Sequence, residues 1–145
     1  MSADLDEDGL SRRPPGVDDA TVEAVGKLSE ALETVERARG ALYTFHQLIG
    51  HADLQLGQAC EMLRAAGHPT VAAELDHDLV GRNVLSGRWT FQVVDEFDDG
   101  YWSAFRDHES AVRGQLMQGV RHVFEAEMKQ SRRTVGHPDH DAVPD

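Results

Sequence analysis

Cysteine is almost missing from this 145-residue chain. Cys60 is the single one, so no internal disulfide can close and no cysteine cluster is available for zinc. Proline is also scarce, at five residues, and with 40% hydrophobic residues this fits a soluble, mostly helical protein better than a β-sandwich. Basic charge is short as well. Fourteen lysines and arginines stand against 26 acids, a formal net charge of −12 that argues against nucleic acid or an anionic membrane as partner. No apolar run approaches the roughly 20 residues that cross a bilayer. The opening "MSADLDEDGLSRRPPG" has no charged-then-apolar signal pattern, and with one thiol in the chain we expect a cytoplasmic protein. A glycine-rich phosphate loop is absent too, and Ser86 in "VLSGRW" has no strand-turn-helix setting for a nucleophile.

What the chain does have is a heptad. Residues 1–18 read as a disordered acidic arm. Asp18 or Asp19 can then cap a helix in which Leu28, Val35, Leu42, Ile49, Leu56 and Leu63 recur at one position. Ala31, Ala38, Phe45, Ala52, Ala59 and Ala66 hold a flanking position, and Leu32, Arg39, His46, Asp53 and Cys60 hold a third. All three are expected to face inward, the alanine edge letting a neighbour come close. Gly50 and Gly57, opposite that edge, suggest a close helix contact or a shallow pocket. Gly67-His68-Pro69 stops the helix. The helical domain spans 19–132, with helices expected at about 19–66, 69–80 and 88–132, and 133–145 is a loose tail. "DDGYW" at Asp98–Trp102 is the one place where the last helix invites a break. The fold class is therefore all-α, an antiparallel hairpin of two long helices with a short connecting helix. Because a hairpin leaves one flank of each wide stripe uncovered, we expect a homodimer of four-helix-bundle type.

Arg39, His46 and Asp53 are out of place in an apolar seam, since a buried charge must be partnered, hydrated or next to a cavity. If Ala66 lies opposite Trp89, His46 falls opposite His108 and Glu109, Asp53 near Tyr101, Trp102 and Phe105, and Arg39 near Gln115 and Leu116. This pairing yields two readings. In one, a satisfied polar layer fixes register. In the other, Arg39, His46, Asp53, Tyr101, His108 and Glu109 line a ligand pocket between helices, with Arg39 placed for an anionic group. The metal version uses His46, His108 and Glu109, because His46 and Asp53 stand about 10.5 Å apart along the axis. No complete metal motif is present, so a divalent ion is a candidate only. Di-iron bundles need two Glu-x-x-His pairs, and Glu74-x-x-His77 is the single match. Glu33-x-x-Glu36 and Glu96-x-x-Asp99 resemble the magnesium ligands of helical nucleotide pyrophosphatases, but the assumed pairing keeps them apart and they read as solvated charge. Cys60, between Leu56 and Leu63, reads as a packed thiol.

The block "YTFHQLIGHADLQLGQA" followed by "DLVGRNVLSGRWTFQVVDEFDDGYW" resembles uncharacterised helical proteins of actinobacteria over about Leu42 to Met128. Twelve arginines against two lysines suit a GC-rich genome of that kind. The resemblance implies a source and a helical fold but no activity and no catalytic residue. The expected function is a cytoplasmic interaction or assembly module with a buried polar layer, the alternative a small-ligand-binding or metal-dependent helical protein.

Overall fold

In the computed structural model, which describes residues 12–141, Asp19–Ala65 form one unbroken helix, α1. Asp18 caps it by accepting the Thr21 backbone N–H at 2.8 Å, and hydrogen bonding from the Thr21 side chain, then from that N–H, holds the Asp18 carboxyl below its ordinary range. At the other end Gly67, at φ +88°, turns the chain into α2 (Pro69–Asp78). The remaining helices are α3 (Thr90–Phe97), a five-residue π turn (Asp98–Trp102), α4 (Ser103–Met117) and α5 (Val123–Arg132). No strand occurs among the described residues, so the all-α expectation holds. The acidic residues of the expected arm before position 12 lie outside the described residues.

The chain divides into two compact units, Met1–Val35 with Ser103–Asp145, and Glu36–Trp102. Helix α1 contributes to both. The first unit has a valine-rich core of Val22, Val25, Met117, Val120 and Val123, with Val17 and Val112 against it. Gly26 eases the packing there: a Cβ at this position would sit 3.1 Å from Phe124 Cβ, tight enough that α5 would have to give by a few tenths of an ångström. The segment before α1 is not an open arm from residue 12 onward. Arg13 forks onto Glu127 of α5 at 3.0 and 3.1 Å and also binds Asp19, while Pro14 is buried. The stretch after α5 also has internal contacts, with Thr134 N–H donating to His140 Nδ1 and the His137 and His140 rings 4.2 Å apart.

In the second unit the return arm begins at once. Arg64 of α1 is ion-paired with Asp76 of α2, and Cys60 and Ala72 are fully buried. The short helix is thus the first leg of the antiparallel return and not a lateral connector. Two differences from the sequence reading follow. The last stretch, expected as one helix over 88–132, stays helical through "DDGYW", which is wound as a π turn. It breaks instead at Gln118–His122, where the Gly119 N–H bonds back to the Arg113 carbonyl. The alanine edge does not face inward: Ala31, Ala38, Phe45, Ala52, Ala59 and Ala66 are all exposed, because the return arm covers only the Leu and Arg-His-Asp positions.

Gln118 occupies a left-handed conformation (φ 53°) that glycine adopts without the Cβ clash, with Gly119 following at φ +78°. We expect Gln118→Gly to raise stability by roughly 0.5–1 kcal/mol and Gly119→Ala to lower it by at least about 1 kcal/mol, measured by urea unfolding.

Candidate functional site

The polar residues of the α1 seam become a ladder, each rung closed by a partner from the return arm of the same unit. Nearest the apex, Asp53 Oδ1 accepts the Gly81 N–H at 2.8 Å. Gly81 lies just past the end of α2 at φ +73°, a left-handed conformation suited to glycine. Two turns back along α1, His46 Nδ1 lies 2.7 Å from Thr90 Oγ1, the first residue of α3, and Tyr43 stands edge-on to the ring. That hydrogen bond runs from the hydroxyl to the neutral ring or from a ring N–H to the hydroxyl, according to tautomer. Another two turns back, Arg39 donates from Nε and Nη2 to the two Asp98 oxygens at 2.7 and 2.9 Å.

The Arg39 rung is the most elaborate. Its guanidinium also lies over the Trp102 ring, 4.2 Å from the centroid, and Trp102 Nε1 donates to Glu36 Oε1 at 3.0 Å. Asp98 opens the π turn and Trp102 closes it, so this one wide turn delivers both partners to α1. Glu36 and Arg39, three apart on α1, meet them from one face. A planar guanidinium suits both tasks, forking to a carboxylate and stacking on an indole. The Arg39 hydrogen bonds hold the Asp98 carboxyl below its ordinary range, and Asp98 in turn raises Arg39. The two side chains are 28 and 22% exposed, so water still screens the pair in part.

The facing residues therefore differ from the expected ones. His46 meets Thr90 rather than His108 and Glu109, Asp53 meets Gly81 rather than Tyr101 to Phe105, and Arg39 meets Asp98 rather than Gln115 and Leu116. The partners lie roughly five turns earlier on the return arm, because the turn is made at Gly67 and not through a separate connector. His108 and Glu109 belong to the other unit. There Glu109, 7% exposed, accepts from the Ser29 hydroxyl at 3.0 Å and is ion-paired with Arg113, whose Nε is 3.2 Å away. His108 is exposed, and Tyr101, 59% exposed, packs its ring 5.9 Å from Phe97. Among the described residues no three His, Cys, Asp or Glu side chains converge as a metal-binding group, and His46, His108 and Glu109 are not brought together as one.

Beside the Asp53 rung lies an open groove of about 580 Å³, lined by Ile49, Asp53 and Leu56 of α1 and by Leu79, Val84 and Trp89. Gly50 borders it, with open space where a Cβ would be. The sequence reading did not single out Thr90 or Gly81, nor Asp98 as a partner of Arg39. "DDGYW" was visible, but only as a place where the helix invites a break, since a π turn leaves no distinct residue signature.

The depressed Asp98 carboxyl gives a signed pH dependence. Its pairing stabilises the fold fully above the unfolded carboxylate value of about 3.9 and is lost as pH falls through the lower native value. Thermal unfolding of wild type and Asp98→Asn should show a steady gap in Tm between about pH 5 and 7, closing below about pH 4. Compared with known proteins, the chain matches no protein family, no curated protein and no solved structure.

Proposed function

We propose that this chain is an interaction and assembly module of the cytoplasm that works as a homodimer, with the Arg39, His46 and Asp53 rungs serving architecture. The observation that carries this reading is the composition of the outer surface of α1. From Gly40 to Cys60 the single formal charge is Asp53, in a chain with 28% charged residues. Asp53 is engaged with Gly81, whereas Tyr43, Phe45, Leu48 and Leu54 are exposed. A helix left bare would carry lysines and glutamates on such a surface. Charge depletion with aromatic and aliphatic exposure is the composition of an interface core. The closed rungs support the architectural part, since each polar group already has its partner. The lone thiol and the acidic balance favour the cytoplasm. No helix among the described residues is long and apolar enough to cross a membrane.

Light scattering coupled to gel filtration should give twice the 16.0 kDa chain mass. His46→Leu should keep that mass and change unfolding free energy by no more than about 1 kcal/mol, because replacing a satisfied polar seam residue by an apolar one is often neutral. A monomer, or loss of the dimer in His46→Leu, would overturn this reading.

A second reading, small-ligand binding, rests on the groove beside Asp53. Its apolar walls and one carboxylate suit a small apolar molecule bearing a hydrogen-bond donor. Arg39, held by Asp98 and Trp102, takes no part in it. Native mass spectrometry of protein purified without a tag should then show a co-purified small molecule that is lost in Asp53→Asn.

A further inference from the structure

Resting on the assembly reading, we infer that the partner is a second copy of this chain, packed antiparallel along one defined seam of α1. Ala38, Phe45, Ala52 and Ala59 recur every seven residues on α1. Ala41, Leu48, Gln55 and Met62 recur at the same interval, three residues further on. Together they form a complete second heptad seam, parallel to the one the return arm covers. Every one of the eight is exposed, with Phe45, Leu48 and Met62 at 41, 60 and 71%. One helix thus carries two knobs-into-holes faces, and only one is filled within the chain.

Three observations choose the occupant. The first is length. The seam runs about 36 Å from Ala38 to Met62, and a stable interface buries about 800 Å² per partner, which a peptide spanning two turns does not approach. The occupant must be a long helix with heptad spacing, and α1 itself, at 47 residues, is one. The second is shape. Four of the eight positions are alanine, so two such helices can approach closely, while the bulky Phe45 and Met62 need small residues opposite them. An antiparallel alignment about Ala52 sets Phe45 against Ala59 and brings Met62 within one residue of Ala41. The third is charge. Before Ala38, α1 carries Asp19, Glu23, Glu30, Glu33 and Glu36 against Lys27 and Arg37. A parallel pair would align these acidic stretches side by side, whereas an antiparallel pair keeps them apart and also opposes the helix dipoles.

The test places single cysteines on the full chain and treats the purified dimer with a short thiol cross-linker. Cys60 is fully buried, so the introduced thiol is the accessible one. Ala52→Cys should cross-link to itself, and Ala38→Cys alone should not. Ala52→Arg, at a position exposed in the single chain, should give a monomer with unchanged helical circular dichroism. Equal cross-linking at both positions would overturn the antiparallel sense. A dimer that fails to cross-link at Ala52→Cys and persists in Ala52→Arg would overturn the seam and leave the assembly reading standing. A monomeric wild type would instead remove the assembly reading itself.

Discussion

A helix that turns an arginine, a histidine and an aspartate toward its neighbour dictates what the neighbour must offer at three heights. A polar group left unanswered at any of them loses a directional hydrogen bond that only one partner position can supply, a more specific loss than one misplaced aliphatic contact. In the Glu36–Trp102 unit the answers are Asp98, Thr90 and the Gly81 amide. A slip of the return arm by one turn would strand all three at once. The apolar rungs between them, Leu42, Ile49 and Leu56, would tolerate such a slip, since one leucine fills a hole much like another. Register is thus set by the polar residues, and the aliphatic ones supply most of the burial.

The π turn belongs to the same constraint. Within one turn it offers a carboxylate to fork with the guanidinium and an indole for it to stack on. Asp98 and Trp102 are four apart, and the wider turn places both beside one arginine. The result joins Glu36, Arg39, Asp98 and Trp102 into one network, in which each acid meets a donor and the cation meets both a carboxylate and a ring. Such a network is worth more than separate exposed pairs because each contact orients the next.

Much of the fold was legible in the residues. The Asp18 cap, the heptad of α1 and the Gly67-His68-Pro69 stop mark the first helix almost to the residue, because each is a local signal. The polar rungs were also visible as exceptions to an apolar seam. Their partners were not, since pairing depends on where the chain reverses, and a short helix after a stop reads equally as connector or as return arm. Placing the reversal at Gly67 moves Thr90, not His108, to His46. The alanine edge failed for a related reason. Small apolar residues beside a seam are compatible with burial, and the sequence does not say how wide a stripe one neighbouring arm can cover. The stop at Gln118 was hidden because glutamine is a poor advertisement for a left-handed residue. Arg13 lay in a segment whose composition suggested nothing beyond solvation.

Cys60 carries a consequence of a different kind. Its side chain is fully buried, a few residues from where Arg64 of α1 pairs with Asp76 of α2, with no other thiol in the chain to compete for a reagent. Chemistry at that atom must wait for the two helices to part. Under native conditions the labelling rate of this single atom therefore reads how often the hairpin apex breathes, apart from unfolding elsewhere. The molecule comes with its own clock for one local motion.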